Sequence, residues 1–472
     1  MGSLRQSTEV LVIGAGPGGY VAALRAADLG KEVLLVERRE RRGGVCLLEG
    51  CIPSKTLIHA VALLEETRHA EKMGLQFRDV ALDPGKLAAF KRSVVDGLTK
   101  GVDGLLKRRG VEVVRGHARF ESPTSVALEA SDVAAVDFKH CILATGSEAA
   151  VPPFARSKDV WTSREALEVP EVPKRLLVIG GGYIGFELGR VYAGLGAEVT
   201  LVELLPEFLG GADRDLAAVV VERARKRLHR VLAEAKVTAL EKDGGGFRVT
   251  VETREGPLEE SFDRVLVAVG RTPNTGDLGL EHTKIVLDEK GLVPTDAQCR
   301  TAEPTIFAIG DITRGPQLAH KASREAKVAA EVIAGHAAAF DNRAVPAVVF
   351  TDPELAWTGL TEAEAREKGL AVKVGVFPLA ALGRARTLGR TEGLVKVIAA
   401  AESGLVLGVG IAGPNASDLV AEGTLAVEMG ATLEDLAATI HPHPTLSEAV
   451  MEAAEVAAGT CVHINPPRPK KK

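Results

Sequence analysis

An α/β protein is what this sequence predicts, and two observations carry the prediction. Residues 9–37 (EVLVIGAGPGGYVAALRAADLGKEVLLVE) and 175–203 (RLLVIGGGYIGFELGRVYAGLGAEVTLVE) match without a gap at 14 of 29 positions. Each copy runs from an apolar stretch through a glycine turn, a helical stretch and a Gly stop to a second apolar stretch. That order is a βαβ unit, which joins parallel strands by a right-handed crossover. Beside the first copy, the stretch GGVCLLEGCIPSK at residues 43–55 holds Cys46 and Cys51. A cysteine pair next to a bound dinucleotide is a candidate redox disulfide, able to trade two electrons through a thiolate and a mixed disulfide.

In the first unit, Gly14 permits the tight turn, Gly16 lets a pyrophosphate approach the backbone, and Gly19 lets helix and strand pack closely. The helix N-terminus that follows offers unpaired N–H groups and partial positive charge to the phosphates. Glu37 closes the unit where a ribose diol would sit. On this pattern both units are Rossmann-like. The cysteines come next. In a regular helix, residues five apart have Cα atoms ~8.6 Å apart, whereas a disulfide needs roughly 4.4–6.8 Å. The pair therefore closes only where the backbone leaves ideal helix, and Gly50 relaxes it there. Pro53 suits the first turn of a helix starting nearby, and a helix N-terminus beside Cys51 lowers a thiol pKa.

In the second unit Gly180, Gly182 and Gly185 repeat the turn and Glu203 repeats the acid. A carboxylate at that place accepts from both ribose hydroxyls and repels a 2′-phosphate. Leu204, Leu205 and Pro206 follow it, with no Arg close by, so the site reads as one for NAD rather than NADP. A nicotinamide delivers hydride, a disulfide takes electrons through thiolates, and a flavin couples the two. FAD is expected in the first unit and NAD in the second.

The 472-residue chain has room for about three domains. Its formal charge of −5 gives no reason to expect nucleic acid as a partner. Five cysteines are few and odd in number, which excludes a secreted disulfide scaffold. Cys141, Cys299 and Cys461 read as small packing residues, and no metal is assigned. No apolar run of roughly 18 residues is recognised, so no membrane span is expected. Met1–Thr8 is short and polar, leads straight into a strand and lacks the apolar core of a signal peptide, so the chain reads as cytoplasmic, or as a mature form already processed. The tail PPRPKKK, residues 466–472, reads as a solvated, flexible end.

Further motifs extend the pattern: ATG at 144–146, GRTPN at 270–274, AIGD at 308–311, LAHKA at 318–322, TDPELAWTG at 351–359 and HPHPTLSE at 441–448. With GGVCLLEGCIPSK they make the chain resemble, nearly end to end, the pyridine nucleotide–disulfide oxidoreductases, most closely the members that oxidise dihydrolipoamide. The resemblance makes Cys46 the interchange thiol and Cys51 the charge-transfer thiol nearest the flavin. It sets Lys55 near flavin N5, paired with Glu187. Thr145, Gly146 and Gly310 close over the FAD, and Asp311 binds the ribityl chain. Leu318, Ala319 and His320 open a helix facing the flavin pyrimidine. Ala118 touches the adenine through its backbone, and Val237 and Gly270 hold backbone positions near NAD. His443 is the base and Glu448 its orienting acid, with His441 the second choice. Thr445 and Glu448 also fit a capping box. The base comes from the other subunit, which implies an obligatory homodimer with shared active sites. Lipoyl domains and a dihydrolipoyl acyltransferase core of a 2-oxo acid dehydrogenase complex are the implied partners.

The implied architecture is two Rossmann-like dinucleotide-binding domains plus a C-terminal α+β interface domain. The FAD-binding domain spans 1–150, with a helical insertion near 55–110. The NAD-binding domain spans 151–270, a central segment 271–345 completes the FAD lobe, and the interface domain spans 346–472. Val45 and Leu48 depart from the Thr and Asn usual in the family, each losing a polar contact near the disulfide loop. Tyr183 stands where some members carry a lid over the nicotinamide pocket, and reads equally as a gate or as simple helix packing. Two other readings are an NADH-dependent reductase of another low-molecular-weight disulfide and a non-catalytic docking flavoprotein. Glu203 stands against an NADP-dependent glutathione enzyme, and the single Cys461 against members with a C-terminal cysteine pair. Intact Cys46, Cys51, His443 and Glu448 stand against loss of catalysis.

Overall fold

The runs Val10–Ile13 and Val33–Val36 are apolar without alternation because the sheet they enter is covered on both faces. In the computed structural model, which describes residues 4–157 and 159–465, that sheet has seven strands. Their spatial order is Glu112–Arg115, Val33–Glu37, Leu4–Ile13, Val133–Leu143, Ser125–Glu129 and His117–Ser122, with Ile306–Ala308 also beside Val133–Leu143. Ile13 is level with Val36 and Leu143, and Leu143 with Ala308. The register therefore delivers Gly14, Glu37, Ala144 and Ile309 to one edge, at the carboxyl ends of parallel strands. That edge is where open α/β sheets bind ligands.

The second unit repeats this on a smaller scale. Its four parallel strands run Arg230–Leu232, Glu198–Val202, Arg175–Ile179 and Arg264–Val267. Ile179 is level with Val202 and Val267, which brings Gly180, Glu203 and Ala268 to one edge. An antiparallel ribbon, Lys236–Asp243, Gly246–Thr253 and Gly256–Phe262, packs its apolar side onto this sheet. The short pair Arg271–Pro273 and Ser147–Ala149 then ties the chain back to the first sheet. The last portion is a five-stranded antiparallel sheet, ordered Ala347–Val349, Glu354–Gly359, Val406–Gly413, Leu394–Ala400 and Val372–Pro378. Helices Ala416–Met429 and Glu448–Ala458 bury their Ala and Val faces on it.

One sequence expectation changes here, one gains a qualification, and one falls outside the described residues. The first strand starts at Leu4, inside the stretch read as a polar lead, because Arg5 is held by Asp137 and Ser125 across the sheet. The helical run Gly44–Met73 is long and apolar enough by length and composition to cross a membrane, although it holds no unbroken run of 18 apolar residues. It breaks at Gly50, and Leu57, Ile58 and Val61 pack into a core shared with the helix Tyr183–Gly194. The tail 466–472 lies outside the described residues.

Candidate active site

The two glycine turns have the same geometry. Gly14 has φ +100°, and a Cβ there would lie 2.3 Å from the Ala144 carbonyl oxygen; Gly180 has φ +117°, and its Cβ would lie 2.3 Å from that of Ala268. A Cβ on Gly19 would sit 1.7 Å from the Gly14 oxygen, and one on Gly185 2.0 Å from the Gly180 oxygen. The middle glycines differ in kind. Gly182 faces open space, and Gly16 meets only the Gly44 Cα, at 3.8 Å. The helices Pro17–Asp28 and Tyr183–Gly194 start at these glycines without a side-chain cap, so their first N–H groups face outward. Glu37 accepts from Ala15 N at 2.7 Å and Arg39 N at 2.9 Å; Glu203 accepts from Gly181 N at 2.6 Å and Leu205 N at 2.8 Å. Each acid thus fastens its glycine loop to the next segment, a structural task the sequence reading did not assign.

The first turn opens on a solvent-open cavity that reaches Cys46 and Cys51. Gly14, Gly16, Glu37, Ala118, Thr145, Gly146, Gly310, Asp311 and Ala319 line it. It runs from the glycine turn to the cysteines, a reach that suits an extended dinucleotide such as FAD. Leu318 caps the helix Ala319–Ile333 but does not line the cavity, and the His320 imidazole turns to the Pro346 carbonyl at 2.7 Å. Gly270, with φ +126°, faces open space, while the Val237 side chain is buried under the second sheet.

Cys46 belongs to the helix Gly44–Glu49 and Cys51 opens the helix Cys51–His69. Between them Gly50 takes φ −144° and ψ −108°, which supplies the break the spacing demanded. The two thiols lie within hydrogen-bond reach. Donation from the Cys46 thiol, together with the nearby Lys55 ammonium, holds the Cys51 thiol down at about 7 in spite of burial. The same hydrogen bond to Cys51, followed by burial, pushes Cys46 up. Above neutrality the pair is therefore mostly one thiolate, at Cys51, and one thiol. Val45 lines the cavity, and Leu48 packs toward the core of the first sheet.

Lys55 Nζ lies 2.8 Å from Glu187 Oε2 and 4.5 Å from the centre of the Phe350 ring. Glu187 is buried, and its other oxygen accepts from Phe350 N at 3.0 Å. A segment three hundred residues downstream of the cysteines thus helps hold the cation beside them. Tyr183 lines the same cavity with its side chain partly exposed.

His443 stands apart from this group. It does not line the cavity, and its side chain is 77 % exposed. Its Nδ1 lies 2.8 Å from Glu448 Oε1, and Glu448 Oε2 accepts from Thr445 N at 2.7 Å. Burial works against the Glu448 charge, but the Thr445 N–H and the imidazole outweigh it, so the carboxyl sits below its ordinary range. An ionised carboxylate only accepts, so Nδ1 carries the proton and Nε2 keeps its lone pair. The full capping box does not form. Ser447 precedes the helix at Glu448, and the Thr445 hydroxyl donates to Pro442 O instead. His441 faces oxygens at both nitrogens, Glu422 at 2.6 Å and Thr439 O at 2.9 Å, so neither nitrogen is open to a substrate thiol.

Sequence reasoning missed several residues that shape the cavity. Asn274 exchanges hydrogen bonds with Thr145 in both directions, at 2.7 and 3.0 Å. Arg271 and Asp311 both bond Ser147. The buried pair Lys321–Glu325 clasps Gly310, Glu325 accepting its N–H at 2.7 Å and Lys321 donating to its carbonyl at 3.2 Å. The i, i+4 spacing of Lys321 and Glu325 was the available signal, and it reads more simply as a surface pair.

Residues 8–326 match the family described as pyridine nucleotide-disulphide oxidoreductase, and residues 345–454 match its dimerisation domain. The chain is 49% identical over 466 residues to a dihydrolipoyl dehydrogenase of Geobacillus stearothermophilus, covering 98% of this chain and 99% of that protein. It is 50% identical over 460 residues to one of Thermus scotoductus, covering 97% and 98%. Among solved structures, LpdA from Mycobacterium tuberculosis is similar with a TM-score of 0.87 at 28% identity, covering 95% of this chain and 99% of that one. The HOCl-induced flavoprotein disulfide reductase RclA of Escherichia coli is similar with a TM-score of 0.84 at 27% identity, covering 96% and 99%.

Proposed function

We infer that this protein oxidises dihydrolipoamide, from the premise that the chain belongs to the pyridine nucleotide-disulphide oxidoreductase family. It is an NAD+-dependent disulfide oxidoreductase with FAD and NAD+ as cofactors, and it forms a homodimer through its C-terminal portion. One observation carries the reading: Cys46 and Cys51 flank the break at Gly50, in the wall of the dinucleotide cavity, with Lys55 beside them. Assay of the purified chain with dihydrolipoamide and NAD+ tests it. Steady formation of NADH is expected; inertness toward dihydrolipoamide, or preference for NADP+, rejects it.

The mechanism assigns work to each side chain. His443 Nε2 of one subunit takes the proton of a substrate thiol. The thiolate attacks Cys46 Sγ in the Cys46–Cys51 bridge, and Cys51 leaves as a thiolate. The second substrate thiol, deprotonated in turn, attacks the mixed disulfide; lipoamide departs and Cys46 is released as a thiol. FAD, when bound, supplies the two-electron relay from this dithiol to NAD+. Lys55, anchored by Glu187, holds positive charge beside the Cys51 thiolate. Gly14–Gly19, Glu37, Thr145, Gly146, Gly310 and Asp311 hold FAD; Gly180–Gly185 and Glu203 hold NAD+. The division at residues 150, 270 and 345 goes with these tasks. Lipoyl domains and an acyltransferase core are the proposed macromolecular partners, since the substrate arm must enter from outside the chain. A cytoplasmic location accompanies this reading, because thiol chemistry of this kind suits a reducing compartment.

Two predictions arise here. In the reduced protein, the alkylation rate of Cys51, followed by peptide mass, should climb with pH through a midpoint near 7. The sign follows from the lowered pKa, since the reactive thiolate persists above it and protonates below it. Lys55→Met should move the midpoint upward, and a midpoint at the ordinary thiol value of about 8.5 in the unaltered protein contradicts the assignment. Separately, Gly182→Ala places a methyl in open space where pyrophosphate approaches. The melting temperature should hold while KM for NAD+ rises roughly tenfold. Gly185→Ala, driven into the Gly180 carbonyl, should lower the melting temperature instead. Equal KM values for the Gly182 variant and the parent would remove that glycine from the binding site.

A further inference from the structure

The helix Glu448–Ala458 ends at Gly459 with φ +81°, a left-handed residue that turns the chain back on itself. Thr460 N and Cys461 N both donate to Glu455 O, at 2.9 and 3.3 Å, and this seats the returning segment against the helix. The fold-back brings Cys461 Sγ to 3.2 Å from Glu452 Oε2 and His463 Nδ1 to 2.6 Å from Glu452 Oε1. Ligand atoms of Glu452, Glu455 and Cys461 all lie within 4.8 Å of one another. Glu452 is only 4 % exposed, so this carboxylate is fixed from within, while the His463 ring lies at the surface. Cys461, read from sequence as a packing residue, thus belongs to a polar cluster remote from Cys46 and Cys51.

We propose that Glu452, Glu455, Cys461 and His463 form a binding site for one Zn2+ ion. A tetrahedral ion with bonds of 2.0–2.3 Å spaces its ligands roughly 3.3–3.7 Å apart. The Cys461–Glu452 separation is close to this, while the exposed His463, now hydrogen-bonded to Glu452, must rotate outward to join the ion. Thiolate, imidazole and carboxylate are the donors zinc takes, and sulfur disfavours Mg2+ or Ca2+. Binding displaces the Cys461 thiol proton to solvent and involves no change of oxidation state. Occupancy fastens residues 459–465 to the helix whose first residue, Glu448, holds His443.

The test is calorimetric titration of the full-length holoenzyme with Zn2+ while the Cys46–Cys51 bridge is oxidised. That bridge then offers no thiolate, and Cys141 and Cys299 are buried. One ion per chain is expected. Cys461→Ser should weaken binding at least about tenfold, and Cys461→Ser with His463→Ala should reduce it below detection. Both changes lie in the terminal segment, and neither empties the apolar core. Binding that is unchanged in either variant, or absent from the unaltered enzyme, overturns the proposal.

Discussion

Cys46→Ser is expected to reduce dihydrolipoamide turnover to background, a loss on the order of 10⁴-fold or more. The reason is covalent. A serine oxygen cannot form the bridge to Cys51 that the substrate thiolate must open, and it cannot carry the mixed disulfide. The rest of the site should survive. The serine hydroxyl still donates toward Cys51, Lys55 still pairs with Glu187, and the cavity wall keeps its shape. The purified variant should therefore remain yellow with bound FAD, and NADH should still bleach that colour. Retention of the NADH half-reaction with loss of the disulfide half-reaction separates a chemical role from a structural one. Normal turnover in the variant removes Cys46 from the mechanism. Loss of FAD makes the residue part of the binding site rather than a nucleophile.

Local repeats were legible in the sequence, and long-range partners were not. The glycine turns declared themselves because backbone crowding admits no other residue: a Cβ at Gly19 or Gly185 would fall inside a carbonyl oxygen. The break between Cys46 and Cys51 was legible for a similar reason, since the required sulfur approach is incompatible with ideal helix. The anchoring of Glu187 was not. Its second partner is a backbone N–H at Phe350, and no side-chain pattern announces a backbone donor. The engagement of His441 was hidden likewise, because Glu422 lies on the helix Ala416–Met429, with another helix, Leu433–Ala438, between them in the chain, and meets it only after the chain folds back. Glu37 and Glu203 show a subtler gap. Their spacing from the glycines points to ribose, yet their carboxylates also bind backbone N–H groups of the turn. A single spacing served both ends, and only the ligand end had a recognised pattern.

His443→Gln should slow dihydrolipoamide oxidation by roughly 10²–10⁴-fold, the usual range for a positioned general base. Glutamine fills similar space and can donate to Glu448, but it has no basic lone pair to receive the substrate proton. Residual turnover should rise with pH as the substrate thiol, ordinarily near 8.5, ionises unaided. A structural role for the imidazole predicts no such rescue. The stronger test uses the position of His443, which is exposed and outside the cavity of its own chain. If the base serves the partner subunit, two dead variants should complement each other. Random reassociation of Cys46→Ser with His443→Gln chains makes half the dimers mixed. Each mixed dimer pairs one intact Cys46 with the intact His443 of the other chain, so about a quarter of parental activity should return. With base and bridge supplied by the same chain, every site in the mixture carries a lesion and nothing returns. An inactive mixture that contains mixed dimers therefore excludes the shared site, whatever the single variants do.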